Sequence, residues 1–275
     1  MAYLQSILLG IIQGLTEFFP VSSSGHLVII ESFFKNFYRP GILFEVLLHV
    51  ATLVPVIIYY RKEIYQIVEG ILNWKSDSAD SSFSGGRRLF FMLIVGSIPT
   101  AVIGFAFKDF FEELFSTPGL VLVALCITGS LLWFASRHMN TTRRLDQMTI
   151  RDALLIGTFQ GLAITPGISR SGSTIAMGLL CGIDPQASAA YSFLLSIPAI
   201  SGAALLEMRH IDLLWQPGLN LAAMLAGALI ASIVGYLAIR YLVRLLSLKR
   251  LSLFAWYCWL FALVSGLILF FTGKI

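Results

Sequence analysis

The chain has 275 residues, of which 57% are hydrophobic and only 12% charged, with a mean hydropathy of +0.83. Soluble domains carry roughly 25% charged residues, so this balance excludes a soluble fold and points to an integral membrane protein. The net charge of +4 is modest and no basic run with interleaved aromatics occurs, so nucleic acid is not an expected partner.

The opening Met-Ala-Tyr-Leu-Gln has neither a basic stretch nor a small-residue cleavage pattern behind it, so no removable signal peptide is expected. Residues 4–15 read as a short apolar helix, broken by a Pro/Gly/Ser loop and followed by a second short arm at 27–34. Segments 42–60, 89–107 and 119–135 follow, each long enough, or nearly so, to cross a hydrocarbon core of roughly 30 Å. Between the first two, 74–86 is rich in Ser, Asp and Gly and reads as the flexible loop of the chain. A second broken pair then appears at 153–164 and 174–182, and three more spans at 188–206, 219–243 and 252–271. Ser97-Ile-Pro99 and Ser196-Ile-Pro198 suggest kinks in spanning helices. Phe254, Trp256, Tyr257 and Trp259 read as an interfacial aromatic belt. Cys126, Cys181 and Cys258 sit in apolar sequence and read as small buried hydrophobes.

Loop charge sets the topology. Connections 61–88, 136–152 and 244–250 hold twelve Lys/Arg, against four in 31–41, 108–118 and 207–218, so the first group is cytoplasmic. Six spans alternate between these groups only if each broken pair returns to its own side, as a re-entrant hairpin does. The expected fold is therefore an all-α integral membrane protein, 1–275 forming a single membrane domain with six spanning helices and two re-entrant helical hairpins. Repeat 1 (1–135) holds the hairpin at about 3–36 and three spans; repeat 2 (153–275) holds the hairpin at about 153–184 and three spans. An odd number of spans turns the second repeat upside down, giving an inverted-topology repeat with its site where the hairpin loops meet.

The loops themselves echo one another. Residues 13–26 read Gln-Gly-Leu-Thr-Glu-Phe-Phe-Pro-Val-Ser-Ser-Ser-Gly-His, and 160–173 read Gln-Gly-Leu-Ala-Ile-Thr-Pro-Gly-Ile-Ser-Arg-Ser-Gly-Ser. Gln, Gly, Leu, Ser, Ser and Gly coincide at a constant offset of 147, while Ser23 stands opposite Arg170 and His26 opposite Ser173. Ionisable residues inside spanning segments are costly and mark function by default. Here they are Glu17, His26, Glu45, His49 and Arg170. The second loop packs Arg170 among Ser169, Ser171, Ser173, Thr174 and the glycines Gly167 and Gly172, which suits a phosphate: a planar guanidinium fork, hydroxyls and the opening amides of a helix expected near Thr174. The first loop adds a hydroxyl nucleophile candidate, further groups for binding the diphosphate in Ser22, Ser24 and Gly25, and an imidazole, His26, able to act as acid, base or nucleophile. Glu17, one turn earlier, can orient the histidine, activate the nucleophile or hold a divalent cation. Glu45 and His49, four apart on one face, either support these groups or satisfy one another. The plainer alternative is a tight Ser/Gly turn with Arg170 paired to Glu17 for structure alone.

Gln13-Gly-Leu-Thr-Glu17, continued by Phe-Pro-Val-Ser-Ser-Ser-Gly-His26, resembles the first signature of the undecaprenyl-diphosphatase (bacitracin-resistance) family, and Pro166-Gly-Ile-Ser-Arg-Ser-Gly-Ser-Thr174 its second. The resemblance covers essentially the whole chain. It implies hydrolysis of the C55 lipid carrier diphosphate to the monophosphate in the bacterial cytoplasmic membrane, recycling the carrier for peptidoglycan and other cell-wall glycans. It also implies dependence on a divalent cation, Mg²⁺ or Ca²⁺, and antagonism by bacitracin, which sequesters the substrate. By motif position Glu17 matches the essential acid, Ser23 and His26 the nucleophile and its catalytic partner, and Ser169, Arg170 and Thr174 the diphosphate-binding loop. The family pattern has Glu or Gln at the first acid; with Gln13 here, only Glu17 brings charge. The expected partners are the polyprenyl diphosphate and membrane lipid, with a homodimer allowed. The site is expected to open toward the outer side of the membrane. The rival reading is a transporter or flippase of polyprenyl phosphate, since inverted repeats with broken helices are also a transporter architecture.

Overall fold

The computed structural model describes residues 2–33, 42–73, 81–114, 117–207 and 220–273. They are almost wholly helical, and a single bridge between Arg143 and Ile183 is the only β pairing among them. In chain order the helices are α1 (Ala2–Phe18), α2 (Ser23–Phe33), α3 (Ile42–Ala51), α4 (Leu53–Tyr59), α5 (Arg61–Leu72), α6 (Ser81–Ala106), α7 (Lys108–Leu114), α8 (Pro118–Ala135), α9 (Ile150–Leu162), α10 (Arg170–Leu180), α11 (Pro185–Glu207), α12 (Leu221–Ser247) and α13 (Ser252–Phe271). Among the described residues five helices are long and apolar enough to cross a membrane, or six if the bent pair at 43–72 is one span. Their outer faces carry large apolar side chains. On α12 Leu225, Leu229, Ile233 and Leu237 form an exposed stripe at four-residue spacing, as a lipid-facing helix requires.

Both expected helix pairs are present, but their second arms start earlier than the sequence suggests. α2 begins at Ser23 and α10 at Arg170, so the chemistry-bearing residues stand on opening helical turns. The span expected at 42–60 is interrupted at Thr52, between α3 and α4. Pro55 has no N–H to offer the Ala51 carbonyl one turn back, and Ser232 Oγ donates to that carbonyl instead at 2.7 Å. The chain then turns by 83° into α5, an amphipathic helix where a connection was expected. Of the loop expected at 74–86, residues 81–86 belong to the first turns of α6, and the remainder falls outside the described residues. The expected outer connections 31–41 and 207–218 also lie largely outside them. α6 and α11 run helically through Pro99 and Pro198. Cys258 is buried as expected, whereas Cys181 is half-buried and Cys126 lies on the outer face of α8.

The first helix of each pair lies on the second long helix of the other half: α1 on α12, and α9 on α6. Small residues make both approaches possible. A side chain at Gly10 would run into the Gly227 carbonyl, and one at Gly157, 147 positions on, into the Gly96 carbonyl. Gly14 and its counterpart Gly161 are closed off in the same way, by the Ala231 carbonyl and by Ile103. Lipid tails are as apolar as the helices, so such close van der Waals contact is what holds membrane helices together.

Gly157→Ala forces α9 off α6 and is expected to cost about 1–3 kcal/mol. Gly202→Ala on α11, where a methyl group meets nothing within 4 Å, is expected to be neutral or slightly stabilising. Thermal melting of the two purified variants in one detergent checks the contrast; equal melting temperatures would contradict the packing.

Candidate active site

The tips of the two helix pairs touch. Ser171 Oγ donates to the Phe19 carbonyl at 3.3 Å, and a β-carbon at Gly25 would sit 3.0 Å from Gly167 Cα, so the Gly25–Gly167 crossing leaves room for backbone only. At the junction lies Glu17, 7% exposed. Its Oε1 accepts from Arg170 Nη2 at 2.7 Å. Its Oε2 accepts from Ser23 Oγ and from Gln13 Nε2, both at 2.9 Å, with His49 Nε2 at 3.6 Å. Ser23 and Arg170 are separated by the repeat offset and each opens its helix, so the carboxylate bridges two equivalent positions of the two halves. An unpaired carboxylate at this burial is prohibitive; four polar neighbours make it tolerable.

The two tips are capped alike. Ser22 Oγ accepts from Gly25 N at 3.2 Å and shares a hydrogen bond of 3.3 Å with Ser24 Oγ. Ser169 Oγ accepts from Gly172 N at 3.0 Å and shares one of 3.3 Å with Ser171 Oγ. These serine caps are why α2 and α10 start where they do. The opening amides of Ser23, Ser24, Arg170 and Ser171 have no carbonyl one turn back, and two such helix starts side by side make a candidate cradle for an anion. Loop 163–169 reaches its cap through Gly167 at φ +95°, a conformation open to glycine, where a β-carbon would also lie 2.5 Å from the Val121 carbonyl oxygen. Loop 19–22 is shorter and places a non-glycine, Ser22, at φ +69°. Such strain costs of order 1–3 kcal/mol and persists only where its surroundings impose it.

Not every candidate residue faces the cradle. Thr174 Oγ1 turns onto its own helix, donating toward the Arg170 and Ser171 carbonyls at 2.8 and 3.2 Å, and meets Ser192 Oγ at 2.5 Å. Ser173 is buried on the same turn. His49 Nδ1 donates to the Glu45 carbonyl at 2.8 Å, and its Nε2 points to Glu17. That places His49 against the acid and Glu45 beneath it through its backbone. His26 does not face Ser23 or Glu17. Its Nδ1 lies 2.8 Å from the Ser22 carbonyl and its Nε2 2.8 Å from Tyr257 Oη.

Four further residues belong to this site. Tyr257, grouped above with the aromatic belt, bonds His26. Phe261 stacks on the same imidazole at 4.1 Å and 11°; its spacing of four from Tyr257 on α13 was the available signal. Thr128, a lone hydroxyl in an apolar span, donates to the Gly167 carbonyl at 2.9 Å and accepts from Ser169 N at 3.1 Å, pinning loop 163–169 to α8. Ser192 is the middle of Ser188, Ser192 and Ser196, a polar stripe at helical spacing in α11.

A family profile described as "Bacitracin resistance protein BacA" matches residues 6–264. Proteins named undecaprenyl-diphosphatase resemble the chain along its length. The one from Carboxydothermus hydrogenoformans is 39% identical over 272 residues, 98% of each chain. That from Halothermothrix orenii is 42% identical over 254 residues, 92% of this chain and 93% of its own. Undecaprenyl-diphosphatase 4 of Bacillus thuringiensis is 38% identical over 259 residues, 94% of each. The chain belongs to the bacitracin-resistance (BacA) family. It is a multi-pass membrane protein, and both echoing loops lie inside the matched region.

The Glu17–Arg170 pair ties the two halves together, so removing one partner leaves the other buried without its counter-charge. Each of Glu17→Ala and Arg170→Ala is expected to cost about 3–5 kcal/mol. The double variant should cost less than the sum by about 1–3 kcal/mol. Denaturation of all four proteins in mixed micelles measures the coupling; additive losses would deny the pair its structural weight.

Proposed function

We propose that the chain hydrolyses undecaprenyl diphosphate to undecaprenyl phosphate and inorganic phosphate at the touching tips of its two helix pairs. Recycling of the lipid carrier for cell-wall glycan synthesis, and with it bacitracin resistance, follows from that activity. The observation that carries this reading is Glu17 held between Ser23 and Arg170. A hydroxyl donating to a carboxylate at 2.9 Å is an activated nucleophile, and a guanidinium at the same carboxylate is within reach of the same substrate.

Ser23 Oγ attacks the terminal phosphorus as its proton passes to Glu17 Oε2. The bond from that phosphorus to the bridging oxygen breaks, and undecaprenyl phosphate leaves. Water then attacks the phosphoserine, the bond from phosphorus to Ser23 Oγ breaks, Glu17 returns its proton to Oγ, and inorganic phosphate leaves with the protons of the water. Arg170 and the opening amides of α2 and α10 hold the equatorial oxygens and stabilise the charge that builds there. His26 shapes the tip that carries Ser23. Gln13 and His49 orient the acid, and Ser22, Ser24, Gly25, Gly167, Ser169 and Ser171 form the cradle.

The family resemblance brings a divalent cation, Mg²⁺ or Ca²⁺. A resident ion held by protein groups alone does not fit. Among the described residues no three His, Cys, Asp or Glu side chains come together, and both Glu17 oxygens already accept from nearby donors. Gln13 Oε1, buried and without a hydrogen-bond partner, is one neutral oxygen. Cations of this kind take six or more oxygens, so the diphosphate itself would have to supply most of them.

The inverted-topology arrangement belongs to the same proposal. The crossed packing of α1 on α12 and α9 on α6 supports it, because each half then embraces the other around one axis. With the Lys/Arg-rich connections cytoplasmic, the first tip enters from outside and the second from the cytoplasm, and the site opens toward the outer side.

Purified protein in detergent is expected to release phosphate from a polyprenyl diphosphate. EDTA should stop release and added Mg²⁺ or Ca²⁺ restore it. Ser23→Ala and Arg170→Ala are each expected to lower kcat by roughly 10²–10³ or more. No release by the wild type, with the lipid still bound, would make the chain a carrier, because micelles have no second compartment. Full activity of Ser23→Ala would sink the serine route.

A further inference from the structure

The tip of the first helix pair stands in a strained conformation, and a contact from α13 bears on the residue that carries the strain. Ser22 sits at φ +69°, with the nucleophile candidate Ser23 next to it. Its carbonyl accepts from His26 N at 3.2 Å and meets His26 Nδ1 at 2.8 Å. A carbonyl can only accept, so Nδ1 carries a proton. A neutral imidazole has one N–H, which leaves Nε2 with a lone pair, and Tyr257 Oη lies on that lone pair at 2.8 Å. The two rings are parallel within 8°, Phe261 stacks beneath at 4.1 Å, and His26 is 4% exposed. Hydrogen bonds at one ring nitrogen decide the tautomer at the other.

We infer that Tyr257 is a positioning residue for the hydrolytic reaction: by donating to His26 Nε2 it fixes the Nδ1–H tautomer, which holds the Ser22 carbonyl and so aims Ser23 at Glu17. This rests on the reading of the touching tips as the hydrolytic site. Without the tyrosine hydroxyl the buried Nε2 has no donor, and the imidazole can exchange tautomers and release Ser22. The grip of Arg170 and the helix N-termini on the diphosphate is untouched. The loss therefore falls on turnover and not on binding.

Tyr257→Phe keeps the aromatic stack and removes only the hydroxyl. It is expected to lower kcat roughly tenfold, with KM within about twofold and a melting temperature lowered by only a few degrees. Histidine-selective ¹⁵N labelling reads the tautomer directly, the His26 signals being those missing from His26→Asn. The wild type should show a protonated Nδ1 and a hydrogen-bonded, unprotonated Nε2, and Tyr257→Phe should lose the hydrogen-bonded Nε2 signature. Wild-type kcat in Tyr257→Phe, or a proton on Nε2 in the wild type, overturns the assignment. The labelling requires no turnover. A chain that released no phosphate would thus defeat the hydrolase reading and leave the tautomer result to stand or fall by itself.

Discussion

One ion pair governs this molecule: Glu17 and Arg170, 2.7 Å apart, drawn from two helix pairs separated by most of the chain. Neither charge is tolerable alone at this burial, so the tips must meet if either is to exist. Much else serves that meeting. The serine caps start α2 and α10 at positions that bring Ser23 and Arg170 to the same carboxylate. The backbone-only crossing of Gly25 and Gly167 lets the loops come close enough for the contact, and Thr128 holds the second loop in place from α8. The pair is thus the keystone of the halves and, in the proposed function, the centre of the reaction.

Beneath it lies a frame built by close approach. α1 and α9 present glycines to carbonyls of the opposite half, where larger residues would hold the helices apart. The outer surface is left to leucines and aromatics, which face lipid and contribute little to specificity. A membrane protein cannot rely on expelling apolar surface from water to bring helices together, so shape at these few positions carries that role.

Much of this was legible in the sequence. The last helix has the bounds its hydropathy implies, 252–271, and the echo at offset 147 pointed to Glu17, Ser23 and Arg170 before any fold was known. The misreadings have physical causes. Helix starts were placed late because Ser-rich and Gly-rich residues resemble loop, when their serines were caps. Tyr257 was grouped with its aromatic neighbours because hydropathy does not distinguish an aromatic that faces lipid from one that faces a histidine. The break at Thr52 follows from Pro55, but the rescue of the Ala51 carbonyl by Ser232 joins residues 181 positions apart, which no local pattern can reveal. His26 and Ser23 lie three apart in sequence, and nothing in that spacing tells that the imidazole turns to α13 instead.

The placement of a lone acid has an electrical corollary. Between Gln160 and Thr174 the second tip carries Arg170 as its only charge, with Ile164 at the position equivalent to Glu17. At rest the Glu17–Arg170 pair is balanced, one carboxylate against one guanidinium. In the proposed function a diphosphate would bring several negative charges to this buried junction, and Arg170 could not balance both the substrate and Glu17. The resting neutrality that makes the empty site stable therefore makes the loaded site deficient in positive charge. Compensation would then travel with the substrate, as cations or protons on its oxygens, and occupancy of the proposed site would become sensitive to the ionic company that the lipid keeps.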